Sequence, residues 1–333
     1  MAEKVYVIGS NSFTGASFVD YLLSQGVQVM GCSRSAEPSP VFLPYKWRGA
    51  LPNKAAFQFA QFDLNRDIRG IIQAINEFQP EYVVNFAAQS MVAESWLYPD
   101  QWYETNVVAN VRLHEKLRNC PFLRKYVHVS TPEVYGNCSG NVSENAPFNP
   151  STPYAASRAA CDLHLMTFFK HYNFPVVFTR AANVYGPGQQ LYRIVPRTVF
   201  FIKTGRLLQL HGGGRSVRSF IHARDVADAT WRIARNAPPG ETYHLSTDVY
   251  VSIRELVERI CQRMGAYFNK VVEVVDERPG KDAAYLLDSA KARATLGWED
   301  HVGLDEGIDE TVAWVDKHLQ ELKKQPSNYI HKP

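Results

Sequence analysis

The chain predicts an α/β fold, a doubly wound parallel sheet followed by a smaller mixed α/β part. Three observations carry this. Short apolar, β-rich runs alternate with amphipathic helical spacings through the first half. A glycine-rich turn stands between the first run and the first helix. Small, polar or charged residues follow the runs at Gly9, Arg34, Asp63, Ala87 and Ser130. In such a sheet those positions are the carboxyl ends of strands, where ligands sit.

Val5 to Ile8 is the first strand, and Ala16 to Gln25 the first helix, with Phe18, Val19, Leu22 and Leu23 on one face. Gly9-Ser10-Asn11-Ser12-Phe13-Thr14-Gly15 joins them. Glycine there lets backbone N–H groups at a helix start approach a pyrophosphate, so Gly9, Ser12, Phe13, Thr14 and Gly15 are assigned to a dinucleotide. Val27 to Met30 is the second strand, and no acid that could bind a ribose diol follows it. Ser33 and Arg34 suit a 2′-phosphate instead, which favours NADP over NAD. Ala36 to Asn53 holds four prolines and reads as an irregular surface excursion. Asp63 and Leu64 end the next strand, and Ile68 to Phe78 is helical by spacing. Tyr82 to Phe86 is a fully buried strand, and its exit, Ala87-Ala88-Gln89-Ser90, is small enough for a flat ring to lie against backbone. Trp102 to Cys120 reads as one long helix, Tyr126 to Ser130 as a strand, Tyr154 to His171 as a helix and Val176 to Arg180 as a strand.

Beyond Asn183 the pattern loosens. Ile194 to Thr204 is helical, Leu207 to Leu210 a strand, Gly212 to Arg218 a basic glycine-rich loop and Ser219 to His222 a strand. A helix from Arg224, a strand at Tyr243 to Ser246, a helix at Ile253 to Met264 capped by Ser252, a strand at Val271 to Val275 and a closing helix at Leu304 to Leu322 complete it. Residues 1–182 are assigned to dinucleotide binding, with the sheet completed by a later strand near 219–246. Residues 183–325 form an interleaved substrate part, and 326–333 a tail; the last ten residues read as frayed.

At 333 residues, one large or two modest domains are expected. A net charge of +3 with scattered basic residues gives no electrostatic footprint for nucleic acid. The five cysteines are far apart and odd in number, which argues against a disulfide framework or a zinc site and for a reducing cytosol. No leader pattern or membrane-length apolar run is seen, so a soluble cytoplasmic protein is expected. No His, Cys and carboxylate set has metal-ligand spacing, and no metal is expected.

The chemistry concentrates in Ser130-Thr131-Pro132-Glu133-Val134-Tyr135-Gly136 and Tyr154-Ala155-Ala156-Ser157-Arg158. Tyr154 and Arg158 lie one helical turn apart. A hydroxyl, a carboxylate, a phenol and a cation suit redox and proton transfer at a carbon bearing a hydroxyl.

These two motifs, the turn from Gly9 to Gly15, Ala87 to Ser90, Asn183-Val184-Tyr185-Gly186-Pro187, the Val217-Arg218 loop and Arg278-Pro279-Gly280 resemble the extended short-chain dehydrogenase/reductase superfamily. Within it they resemble the nucleotide-sugar 4,6-dehydratases, over nearly the whole chain. The resemblance implies a Rossmann-type fold, a tightly bound and recycled NAD(P), a nucleoside-diphosphate hexose substrate and a homodimer packed through two helices per subunit. It implies that Tyr154 takes the C4 hydroxyl proton and that Arg158 lowers the phenol's pKa and holds the nicotinamide ribose. It further implies that Thr131 bonds the C4 oxygen and Glu133 removes the C5 proton. It adds Ala87, Ala88, Gln89 and Asn106 to the cofactor contacts. It assigns Gln89, Asn183, Arg193, Gln209, Arg218 and Arg278 to the substrate, the last two arginines to its phosphates.

Two positions depart from the family pattern. Arg158 replaces the lysine of Tyr-x-x-x-Lys, and Pro132 stands where glucose-type dehydratases carry an aspartic acid. An epimerase or an NADP-linked reductase on the same fold is the alternative, and a non-catalytic dinucleotide-binding regulator a further one. Glu133 speaks against the epimerase, which needs no C5 base.

Overall fold

The computed structural model describes residues 3–49, 56–138, 140–276 and 286–333. The strands of the first half are β1 (Lys4–Ile8), β2 (Gln28–Ser33), β3 (Ala56–Gln61), β4 (Tyr82–Asn85), β5 (Lys125–Val129), β6 (Asn141–Val142), β7 (Val176–Ala181) and β8 (Asn183–Tyr185). Those of the second half are β9 (Leu208–His211), β10 (Val217–His222), β11 (Thr242–Leu245), β12 (Tyr250–Ser252), β13 (Val272–Val275) and β14 (Leu286–Leu287). Seven of them form one parallel sheet in the order β11-β7-β5-β4-β1-β2-β3. The strand order reverses between β1 and β4, so the loops after these two strands part and leave a crevice.

Burial on both faces explains the continuous apolar runs. One face packs the helices Phe13–Ser24 and Ala223–Asn236 through Phe18, Leu22, Trp231 and the buried Trp298. The other packs Ile68–Phe78, Ala109–Leu117 and Pro153–Tyr172 through Ile71, Leu113 and Leu165. A second core, with Val199, Leu256 and Val315, unites Ile194–Thr204, Ile253–Arg263 and Leu304–Leu322. Here β10 is the hinge strand, pairing parallel with β8 and antiparallel with β12.

Three sequence readings need correction. The stretch after β2 is not a surface excursion: Val41 to Tyr45 are buried in two 3₁₀ turns, each started by a proline. Tyr45 packs on Phe57, and the Trp314 indole donates to the Val41 carbonyl at 3.0 Å. Prolines that forbid a long helix are at home at the first position of a short one. The single helix from Trp102 to Cys120 is instead Pro99–Tyr103, a π-helical turn over Glu104–Val108, and Ala109–Leu117. The wide turn surrounds Asn106, whose buried amide has a structural task described below. Finally, residues 326–333 do not fray; they lie against the carboxyl ends of β2 and β4. Among the described residues no helix is long and apolar enough to cross a membrane.

Candidate active site

The turn after β1 is built by close contact. Gly9 has φ +83°, and a side chain on it would meet the Ala87 nitrogen at 2.7 Å. A side chain on Gly15 would meet the Gly9 carbonyl at 2.3 Å. Both glycines are therefore required by the meeting of the turn, the β4 exit and the first helix turn. Ser12 caps that helix: its hydroxyl donates to the Gly9 carbonyl at 2.7 Å and accepts from the Gly15 N–H at 3.1 Å. Its polar group is thus engaged with the turn, and Phe13 and Thr14 begin the helix. Asn11, which sequence reasoning passed over, ties the turn to β2: its N–H donates to Ser33 Oγ at 2.9 Å and its side chain to the Ser35 carbonyl at 3.1 Å. The Ser10 hydroxyl and Asn11 Oδ1 are buried without a hydrogen-bond partner.

At the neighbouring strand ends, Arg34 Nη1 donates to the Pro333 carbonyl at 2.8 Å. Asp63 accepts from the Asn65 N–H at 2.9 Å, which shapes the turn after β3. Leu64 is buried among the core side chains on one face of the sheet. The Ala87 N–H donates to Asn85 Oδ1 at 2.9 Å, and Asn85 in turn donates to Asn110 and to the Tyr126 hydroxyl. Ala88 continues the small-residue exit. Asn106 accepts from the Gln89 N–H at 2.9 Å and donates to the Gln89 carbonyl and to Ser157 Oγ, both at 3.0 Å. Both amide atoms are engaged by protein, so Asn106 fixes the β4 exit to the Tyr154 helix.

Beyond β5, Thr131 caps a 3₁₀ turn, Pro132–Tyr135, through its hydroxyl, and Glu133 lies in that turn, half-buried. Tyr154 is buried near the start of its helix, whose cap is Thr152. The Thr131 hydroxyl hydrogen-bonds the Tyr154 phenol, and the charges of Glu133, Arg158 and Arg193 all act on it. Burial raises the phenol's pKa, the Glu133 carboxylate raises it further, and Arg158, Thr131 and Arg193 pull it down. Thr131, Glu133, Tyr154 and Arg158 therefore form one electrostatic unit.

Arg158 is 2% exposed. Its Nη2 donates to the Val129 carbonyl and to His128 Nε2, the latter at 3.2 Å. Nε and Nη1 are buried with no partner. A buried guanidinium with two unused donors is costly unless something completes it. Beneath it, Asp162 Oδ2 accepts from Ser130 Oγ at 2.7 Å and from Arg180 Nη2 at 2.8 Å. Arg180 also donates to the Tyr135 hydroxyl, which bonds His244 Nε2 at 2.7 Å. This buried layer escaped the sequence reading. Asp162 lies one helical turn beyond Arg158, a spacing that could have revealed it.

The remaining assigned residues are more scattered. Arg193 precedes the helix Ile194–Thr204 and stands over the Tyr192 ring. Asn183 opens β8, opposite Phe220 of β10. Arg218, on β10, is buried and opposite Val251, and its Nη1 donates to the Val217 carbonyl at 2.7 Å. Gln209 is exposed on β9, opposite Glu273 of β13. Arg278 lies outside the described residues.

Residues 6–311 match the family model described as GDP-mannose 4,6 dehydratase. The chain belongs to the GDP-mannose 4,6-dehydratase family. It is an enzyme of the nucleotide-sugar 4,6-dehydratase kind, on the extended short-chain dehydrogenase/reductase fold. It is 32% identical over 335 residues to the dTDP-glucose 4,6-dehydratase of Streptomyces antibioticus, covering 97% of this chain and 96% of that one. The solved dTDP-glucose 4,6-dehydratase of Streptomyces venezuelae, with NAD bound, aligns at a TM-score of 0.86 and 28% identity, over 96% of this chain and 98% of that one. A UDP-glucose 4-epimerase from Thermotoga maritima aligns almost as well, at 0.85 and 26%, over 95% and 99%. Backbone similarity therefore does not separate dehydration from epimerisation within this family's fold, and the side chains around Tyr154 must do so.

Proposed function

We propose that the chain dehydrates a nucleoside-diphosphate hexose to the 4-keto-6-deoxy sugar, with Tyr154, Thr131, Glu133 and Arg158 as the groups that carry it. The observation that supports this most is the Glu133 carboxylate acting on the Tyr154 phenol, because the carboxylate is the part an epimerase does not need. The relatives' names favour dTDP-glucose as the substrate. They also favour NAD, where Arg34 alone had suggested NADP.

The residues present fit such a cofactor. The two unused donors of Arg158, the buried Ser10 hydroxyl and the glycine-lined contact of Gly9 with Ala87 are groups a dinucleotide would complete. When bound, it supplies a hydride acceptor and returns the hydride within the same turnover. Gly9, Gly15, Ala87 and Ala88 would line it, and Arg158 would hold its ribose through the free donors. Tyr154 takes the proton of the C4 hydroxyl, and Thr131 positions that oxygen. Arg158 stabilises the phenolate that makes this possible. Once C4 is a ketone, the C5 proton is acidic and Glu133 removes it as the C6 hydroxyl departs as water. Pro132 donates nothing, so the departing oxygen takes its proton from the protonated Glu133 or from water.

Residues 183–325 are proposed as the nucleotide-sugar part, with Asn183, Arg193, Arg218 and Arg278 on the diphosphate or sugar, Gln209 near the base and Gln89 at the shared wall. Incubation with dTDP-, GDP-, UDP- and CDP-hexoses, without added cofactor, should give a product lighter by one water from one of them. Unchanged mass for every sugar would sink the proposal.

We place the enzyme in the cytoplasm as a homodimer, a state supported by exposed Tyr103, Val108, Leu163 and Tyr172 on the two candidate helix stretches. Sedimentation should give twice the 37.7 kDa chain mass; a monomer at micromolar concentration contradicts it.

A further inference from the structure

The segment 327–333 leaves the second core and crosses the mouth of the crevice. At its start, Arg197 Nη1 donates to the Ser327 carbonyl at 2.9 Å, and Arg206 donates to the Ser327 hydroxyl at 3.0 Å. The Tyr329 ring meets Tyr192 edge-on at 5.4 Å. The His331 ring stacks on Tyr98 (5.0 Å) and on Trp102 (5.5 Å), and its Nε2 bonds Gln101 Oε1 at 2.7 Å. At its end, Gln89 Nε2 donates to the Lys332 carbonyl at 2.8 Å, Lys332 Nζ donates to Ser35 Oγ at 3.1 Å, and Arg34 reaches the Pro333 carbonyl. Arg34, Ser35 and Gln89 lie at the carboxyl ends of β2 and β4, on either side of the glycine turn. The segment thus joins the substrate part to both flanks of the dinucleotide crevice.

Holding these residues in one path costs backbone and side-chain entropy at every position. The ordering is offset by a stacked imidazole and a series of hydrogen bonds, of which the last three, at Lys332 and Pro333, end on crevice residues. Contacts so placed have a purpose in a reaction that returns its hydride each turnover, since the dinucleotide then acts as a resident group.

We propose that residues 327–333 are part of the cofactor site, a strap that closes the crevice over the adenosine half of the dinucleotide and must lift for it to leave. The inference rests on the cofactor reading above. The experiment loads the full chain, and a variant lacking residues 327–333, with NAD and follows its release into excess fluorescent NAD analogue. Loss of several hydrogen bonds and the imidazole stack should speed release about tenfold or more. His331→Ala in the full chain should give a smaller increase, with the fold checked by its melting temperature. Equal release rates overturn the strap, and so does tighter NAD binding by the shortened chain, which would mean that the segment occupies the cofactor's own place. If the deletion does not fold, His331→Ala decides: an unchanged rate in that folded variant overturns the proposal. Failure of the full chain to bind NAD at all would sink the cofactor reading instead, so the two failures are distinguishable.

Discussion

Glu133→Gln should stop water loss while leaving C4 oxidation intact, so that substrate turns the bound cofactor into its reduced form and the reaction halts there. The substitution keeps the size and hydrogen-bonding capacity of the side chain and removes only its ability to accept a proton. General base catalysis contributes about 10²–10⁴-fold, and the dehydration rate should fall by that order. The turn that carries Glu133 is held through its backbone, whose N–H donates to the Thr131 hydroxyl, and is started by Pro132. The first half-reaction should even become easier. Glu133 is one of the charges that hold the Tyr154 phenol above its ordinary range, and the amide relieves it. The pH at which cofactor reduction appears should therefore move down in the variant. The reduced nicotinamide band on addition of substrate, with product mass in parallel, checks both. Full dehydratase activity would show that another group is the C5 base.

The reading of the sequence was strongest where local pattern and chemistry coincide. Buried strands such as Tyr82–Asn85 announce themselves because both faces of a parallel sheet are apolar. The group at Thr131, Glu133, Tyr154 and Arg158 was legible because hydroxyl, acid, phenol and cation have no common structural reason to recur at that spacing. What the pattern could not give was the third dimension of polar side chains. Asn106 looks like any helix asparagine, yet the structure spends it on the backbone of Gln89, which opens the helix into a π turn. Val41 to Tyr45 look like loop residues because proline hides the short helical turns that bury them. The tail carries no periodicity at all, and its order comes from partners as distant in sequence as Arg34 and Gln89. Arg34 illustrates the consequence: a lone cation after β2 suggested a phosphate, whereas in the fold it faces a carbonyl of the chain itself.

Acid should destabilise this protein through its buried histidines. His114 and His128 are buried, and burial holds both far below the ordinary imidazole range; His222 and His244 are lowered to about 3 for the same reason. Their surroundings oppose a second proton. His128 accepts from Arg158 and lies near Arg180, while His244 is bonded to the Tyr135 hydroxyl and the Val142 carbonyl, with Arg180 and Lys291 acting on it. His114 faces His164, and although His222 has Glu310 at 3.5 Å, desolvation and Arg224 outweigh that carboxylate. Each folded-state value lies below the unfolded one, so the unfolded chain binds more protons once the pH falls below the ordinary imidazole pKa near ~6.5. Stability is fully present above that pH and is lost as pH falls toward the folded values. At pH ~5.5 each such histidine should cost on the order of 1 kcal/mol, a large share of a stability of roughly 5–15 kcal/mol when four act together. The exposed acids held below their ordinary range, Glu115, Glu255, Glu321 and Asp309, change protonation only at lower pH, and Asp225, raised by burial, works in the opposite sense. Urea unfolding midpoints should drop steeply between pH 7.5 and 5.5, and equal midpoints at the two values would mean that these histidines find protons or water in the folded state.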